Sequence, residues 1–172
     1  MSGADVQREV DDPVISIGVL ARKVGLSVSA VRKYENEGLV LAHRTGAGHR
    51  LFSHEDVRRV RNIQHMIQDL GLNIEGIRRM QALLPCWDLY PCDARTRESC
   101  PAYQENTRPC WTIKGPVCAP RGNECRRCVV YRFGSLCIEE IKRLLHDHDD
   151  SQDENTAIRE LLERMRRSRQ EN

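Results

Sequence analysis

Apolar residues near the start of the chain repeat at a helical period. One face of the first predicted helix collects Ile17, Leu20, Ala21 and Val24, at the spacing of a buried helical face. Gly25 then predicts a tight turn, and Ser27 is a suitable cap for a second helix over residues 28–37, which Gly38 ends. Two short helices joined by a glycine turn are typical of a helix-turn-helix.

A pair of β-prone runs follows within residues 39–52. The runs flank the flexible tip Thr45–Gly48 and predict a small hairpin. Its edges are basic and carry Arg44, His49 and Arg50. A basic hairpin after a helix-turn-helix is a wing, an element that usually touches the phosphates of DNA.

The pattern then predicts two further helices. Ser53 and Asp56 form a capping box at the start of the longer one, and Asn73 caps the last. Arg58 and Arg59 fall between the apolar positions of the longer helix. The sequence therefore places both arginines on an outward face, where they meet DNA or solvent.

The outward side of the second helix carries the first candidates for contact with DNA, Ser29, Arg32 and Lys33. Their hydroxyl, guanidinium and ammonium groups suit base edges and phosphates in the major groove. Charge points to the same region, because residues 13–82 hold eleven Lys and Arg against six Asp and Glu, whereas the tail from residue 138 is net acidic. We expect nucleic acid to bind this part of the chain.

These motifs together resemble the DNA-binding domain of the MerR family of bacterial transcription regulators. The resemblance covers residues 14–80 and is carried, in matching order and spacing, by Val31–Glu35, Gly38–Leu39, His49–Ser53 and Asp69–Asn73. Two positions depart from the family pattern. Lys33 stands where the family commonly has an aromatic residue, and His49 where it commonly has tyrosine, so the preferred DNA sequence is expected to differ.

The resemblance implies a winged helix-turn-helix domain over residues 14–84 in a cytoplasmic, nucleoid-associated bacterial protein. It also implies a homodimer on a palindromic, double-stranded promoter, with RNA polymerase affected indirectly through distortion of the DNA. The residues that it implies in contact with DNA are Arg32, Tyr34, Arg44 and Arg50. Tyr34 has a second interpretation, as a packing residue between helix and wing.

Cysteine is concentrated in one segment. Of the eight cysteines, seven lie between Cys86 and Cys128, and the first 85 residues contain none. The start of the chain lacks the basic and apolar stretches of a secretory signal, which predicts a reducing compartment and metal or redox chemistry. Five prolines within residues 86–137 predict a module made mostly of loops.

The cysteine segment contains a repeated motif. Both tryptophans directly follow a cysteine, at Cys86-Trp87 and Cys110-Trp111, and the two motifs are 24 residues apart. With Pro101–Tyr103 and Val130–Tyr131, the segment resembles the two-CW cysteine module of bacterial and archaeal signalling proteins. The candidate metal ligands are Cys86, Cys92, Cys100, Cys110, Cys118, Cys125 and Cys128, with Cys137 as an additional candidate.

Three kinds of chemistry fit these thiols. Four cysteines could hold an iron–sulfur cluster, which the long and uneven spacings favour. Eight could instead form two structural zinc sites. In the third interpretation the thiols are free, and Cys125 and Cys128 form a redox switch.

The predicted chain is mainly α-helical and has four parts. They are a flexible lead (1–13), the winged helix-turn-helix DNA-binding domain (14–84), the cysteine-rich, loop-rich metal-binding module (85–137) and a helical tail (138–172). Apolar residues three and four apart make either helical stretch of the tail a candidate dimer seam. No apolar run is long enough to span a membrane.

The sequence therefore predicts a transcriptional regulator of the MerR type, not an enzyme. It would sense redox state, a metal or a reactive ligand through its cysteines. The alternative is a DNA-binding adaptor whose zinc module is purely structural and recruits a protein partner. A thiol oxidoreductase built on Cys125 and Cys128 is disfavoured, because no βαβ pattern accompanies them.

Overall fold

The chain divides into two compact units, Met1–Arg78 and Arg79–Asn172. A computed structural model describes residues 12–89, 92–105, 107–115, 118 and 125–136. Residues 1–11, Cys137 and the predicted helical tail lie outside the described residues. In the described ranges no helix has both the length and the apolar character needed to cross a lipid bilayer.

The first unit begins with the two helices of the predicted helix-turn-helix. Helix α1 spans Ile17–Val24 and α2 spans Val28–Asn36, and the hydroxyls of Ser16 and Ser27 cap their first turns. Gly25 ends α1 with a φ of +67°, in the left-handed region that favours glycine. The prediction of two short helices around a glycine turn is confirmed.

A three-stranded antiparallel sheet completes the winged fold. Strands β1 (Ile15–Ser16), β2 (His43–Arg44) and β3 (Arg50–Phe52) lie in the order β1-β3-β2. Strands β2 and β3 form the predicted wing hairpin. The sequence does not predict strand β1, because two residues are too few to show an alternation of apolar and polar positions. They form a strand by pairing with Leu51 and Phe52.

Two longer helices follow the wing. Helix α3 spans His54–Gln68, with the predicted capping box of Ser53 and Asp56, and α4 spans Ile74–Ala82. The boundary between the two units falls within α4. The first unit has a mostly aliphatic core, and its fully buried members include Leu20, Val31, Leu39, Val40, Phe52, Val60, Ile63, Met66 and Ile77.

The second unit is built from short turns joined by loops. Its helices are α5 (Cys86–Leu89), α6 (Ala94–Glu98), α7 (Pro101–Gln104) and α8 (Val129–Phe133), with 3₁₀ turns at Cys110–Thr112 and Cys125–Arg127. None of these described elements exceeds five residues, as the prolines predict. Trp111 is buried beside Gly134, where an added Cβ would lie 2.7 Å from the indole, so a larger residue at Gly134 would displace Trp111.

Candidate nucleic-acid interface and thiol cluster

Helix α2 has one buried and one exposed side. Val31 and Tyr34 lie in the core, whereas Ser29, Arg32 and Lys33 are exposed. The three residues predicted from the sequence to meet base edges therefore share the solvent-facing side of one helix. A helix presented in this way has the shape and charge of a major-groove reader.

Tyr34 is placed differently from its neighbours on α2. Only 9% of the residue is exposed, and burial raises the pKa of its phenol. This burial supports the packing interpretation of Tyr34 over direct contact with a phosphate.

The wing is attached to α2 through Glu35. Its carboxylate accepts hydrogen bonds from Nε of Arg50 at 2.6 Å and from Nη2 of Arg44 at 3.1 Å. The Glu35 side chain is only 11% exposed, while those of Arg50 and Arg44 are 28% and 55% exposed. Arg44 is therefore the more solvent-exposed partner of Glu35, and Arg50 is the more buried one.

The role of Glu35 does not follow from the sequence pattern. Glu35 ends the Val31–Glu35 motif, but the two arginines that it binds are nine and fifteen residues away. The wing tip closes independently, since the backbone N–H of His49 donates to Thr45 Oγ1 at 3.1 Å. His49 itself is exposed.

We expect the two ion pairs of Glu35 to contribute unequally. Replacing Glu35 by alanine should destabilise the first unit by about 1–2 kcal/mol, because Arg50 loses a charge-assisted, partly buried partner. Arg50→Ala should cause most of this loss and Arg44→Ala less than about 0.5 kcal/mol, as exposed pairs do. Amide hydrogen exchange across residues 43–52 of the full chain measures the difference. Equal effects of Arg44→Ala and Arg50→Ala would contradict this ranking.

The two adjacent arginines of α3 have opposite surroundings. Arg58 is partly exposed and pairs with Glu55 one turn earlier. Arg59 is only 1% exposed, and its Nε donates to the backbone oxygen of Leu39 at 2.5 Å. The prediction that both lie on an outward face is wrong for Arg59, because its guanidinium satisfies a carbonyl in the buried segment after α2.

The thiols of the second unit form a cluster. All seven described cysteines are partly buried and unbridged. A hydrogen bond with Cys86, followed by burial and the nearness of other thiols, raises the pKa of Cys110. Burial, followed by neighbouring thiols, raises the pKa of Cys118 to about 11. The thiols that act on one another in this way are Cys86, Cys100, Cys110, Cys118, Cys125 and Cys128.

The thiols whose pKa is raised are those of Cys110 and Cys118. A thiolate at either position would be repelled by neighbouring thiolates and would lose solvation, and both effects hold its proton on sulfur. A cation bound by the sulfurs would reverse that preference. Among the described residues, no three cysteine, histidine, aspartate or glutamate side chains form a ready site for a metal ion.

Cys92 stands apart from the interactions of the cluster. Its backbone oxygen accepts a hydrogen bond from Arg97 at 3.4 Å, and it does not figure among the thiols that raise the pKa of Cys110 or Cys118. Of the seven predicted ligands that the structure describes, six therefore have thiols that interact with one another, and Cys92 has a hydrogen bond to its backbone oxygen instead.

Known proteins match part of the chain. A family model described as MerR HTH family regulatory protein matches residues 15–84. The chain is 39% identical over 70 residues to the heat shock protein HspR of Streptomyces coelicolor, covering 41% of this chain and 46% of that protein. It is 39% identical over 59 residues to the transcriptional regulator TnrA of Bacillus subtilis, covering 34% of this chain and 54% of that protein.

A third relative matches over a longer stretch. The transcriptional regulator HmrR of Rhizobium leguminosarum bv. viciae is 32% identical over 81 residues, which cover 47% of this chain and 62% of that protein. The chain thus spans about half the length of the curated relatives that it matches. Residues 15–84 thus match the MerR HTH family model, and the structure places two capped helices and a wing hairpin within them.

Proposed function

We propose that the chain is a DNA-binding transcriptional regulator of the MerR type and not an enzyme. The observation that carries the proposal is the exposed face of α2, where Arg32 and Lys33 stand free of the core beside a basic wing. The relatives TnrA and HmrR are named as transcriptional regulators, which supports the same role here.

The proposed partner is double-stranded promoter DNA. Helix α2 enters the major groove with Ser29, Arg32 and Lys33, and the wing reaches phosphates through Arg44 and His49, which are both exposed. Arg50 contacts DNA from a position that Glu35 holds. A homodimer places two copies of α2 on an inverted repeat, and RNA polymerase is affected indirectly through the shape of the bound DNA.

Selection of bound DNA from a random-sequence duplex library, using the full chain, tests this function. We expect an inverted repeat to be enriched, with the spacing of its half-sites set by the dimer. Light scattering on the same sample reports the number of chains. A single enriched half-site would contradict the homodimer, and the absence of any enriched sequence would contradict a sequence-specific regulator.

We also propose that the thiol cluster is the sensory part of the regulator and holds a metal centre. Its support is the interaction of Cys110 and Cys118 with neighbouring thiols, which raises the pKa of both groups; a cation bound by such sulfurs would displace their protons. An iron–sulfur cluster is the favoured occupant, because the spacings between the cysteines are long and uneven and the sequence holds a single C-x-x-C motif. The described candidate ligands are Cys86, Cys92, Cys100, Cys110, Cys118, Cys125 and Cys128.

A second role is an adaptor with a permanent zinc module that recruits a protein partner. The absorption spectrum of protein purified without oxygen, with iron, sulfide and zinc assayed on the same sample, separates the two. Iron with sulfide and broad visible absorption supports the sensor. A colourless protein with stoichiometric zinc supports the adaptor, and a metal-free protein contradicts both forms of the centre.

A further inference from the structure

One carboxylate connects helix α2 to both strands of the wing. Glu35 is the next-to-last residue of α2, whereas Arg44 belongs to β2 and Arg50 to β3. Oε1 of Glu35 accepts the hydrogen bond from Arg44, and Oε2 accepts the one from Arg50. Each carboxylate oxygen therefore holds a different strand of the hairpin against the end of the same helix.

The two arginines face each other across the hairpin. The register of β2 and β3 pairs Arg44 with Arg50, and residues directly opposite in an antiparallel pair place their side chains on the same face. Like charges in such positions repel each other and destabilise the pair. The carboxylate of Glu35 binds both guanidinium groups and offsets this repulsion, so it decides where the two cations lie.

The geometry of these contacts leaves donors for a second partner. Arg50 binds Glu35 through Nε, and a guanidinium carries four further N–H groups on its two terminal nitrogens. Those terminal groups are suited to the oxygens of a phosphate. Arg44 has a side chain that is 55% exposed in spite of its bond to Glu35. Both arginines can therefore meet an anion while the carboxylate holds them.

We propose that Glu35 is a positioning residue for DNA binding. Its carboxylate fixes Arg50 and Arg44 on the wing, at a set position relative to the exposed face of α2, so that the same unit reads base edges and contacts phosphates. The inference rests on the proposed function for the identity of the partner, double-stranded DNA. Its consequence is that an acidic side chain strengthens the binding of a polyanion.

This consequence is opposite in sign to the effect of a bystander carboxylate. A negative charge that only lies near the interface is repelled by the phosphates, so its removal raises the affinity for DNA. A carboxylate that positions two cations contributes more through them than it loses by repulsion, so its removal lowers the affinity. The direction of the change therefore separates the two roles.

Binding of the full chain to the selected duplex at several salt concentrations tests the inference. We expect Glu35→Ala to lower the affinity by about 5–10-fold, because the wing loses a charge-assisted phosphate contact. The slope of log affinity against log salt concentration should fall by about one. Titration at saturating DNA gives the active fraction of each sample. A variant that is only less stable has a smaller active fraction and an unchanged slope.

Two further variants serve as comparisons. Glu35→Gln removes the same charge but keeps an oxygen that accepts from Arg50, and we expect it to lose less affinity than Glu35→Ala. Glu37→Ala is the matched control, because Glu37 also lies at the end of α2 but pairs with Arg78, which is outside the wing and has Glu75 as a second partner. Glu37→Ala should leave the affinity within about twofold or raise it slightly.

A double-mutant cycle shows whether Glu35 acts through the wing. In the Arg50→Ala background, Glu35→Ala should change the affinity by less than about twofold, because the more buried of the two positioned cations is already gone. An equal or higher affinity of Glu35→Ala than of the unsubstituted chain would overturn the inference. The same loss with and without Arg50 would overturn it as well.

The unsubstituted chain separates this inference from the proposed function. If it binds the selected duplex and Glu35→Ala binds equally well, the DNA-binding role stands and the positioning role of Glu35 is wrong. If the unsubstituted chain binds no duplex, the proposed function and the role of Glu35 are both contradicted.

Discussion

Replacing Arg59 by alanine should destabilise the first unit by about 3 kcal/mol. The substitution removes the donor to the Leu39 oxygen and leaves that carbonyl unpaired in a buried place, which costs about 1–3 kcal/mol. It also removes the largest fully buried side chain of the described residues, and the space left behind adds a cavity cost. Arg58→Ala is the matched control and should cost less than about 1 kcal/mol, because Arg58 has only a partly exposed ion pair with Glu55.

Amide hydrogen exchange within residues 12–78 of the full chain is the appropriate measurement. Both tryptophans lie at positions 87 and 111, so tryptophan fluorescence reports on the second unit and would miss the loss. We expect the slowest-exchanging amides of α1 and α3 to accelerate by about a hundredfold in Arg59→Ala. Similar acceleration in Arg58→Ala and Arg59→Ala would show that the buried guanidinium has no special role.

Replacing Arg32 by alanine should weaken binding to the selected duplex by about 10–100-fold. This range corresponds to about 1–3 kcal/mol, the usual contribution of an arginine that reads a base edge. Arg32 is exposed on α2, so the substitution leaves the core intact. The control is Arg95→Ala, which removes an exposed arginine from α6 in the second unit and should leave the affinity within about twofold.

Binding to the selected and to a random duplex, measured at several salt concentrations, distinguishes base recognition from phosphate contacts. A base-edge contact by Arg32 should discriminate the selected duplex from a random one, and this discrimination should fall in Arg32→Ala. Lys33→Ala should weaken binding to both duplexes similarly. It should also reduce the slope of log affinity against log salt concentration by about one, as expected for a phosphate contact. If Arg32→Ala lowers the affinity for both duplexes equally, Arg32 contacts the phosphate backbone and not a base.

Short-range sequence signals specify the local structure of the first unit. Ser27 predicted the start of α2, Ser53 and Asp56 predicted the start of α3, and Gly25 predicted the end of α1. Each of these signals acts over three or four residues, through a side chain that caps a nearby backbone group or through a left-handed φ. The exposed face of α2 is also predictable from the sequence, because helical periodicity places Val31 and Tyr34 opposite Arg32 and Lys33.

The partners of the buried polar groups depend on tertiary packing. Helical periodicity does not distinguish Arg58 from Arg59, and their surroundings differ because the guanidinium of Arg59 donates to the Leu39 oxygen, twenty residues away. Glu35 likewise binds two arginines of the wing, nine and fifteen residues away. Hydrophobic patterning specifies which face of an element is buried, but the pairing of buried polar groups depends on distances that exist only after the elements have packed.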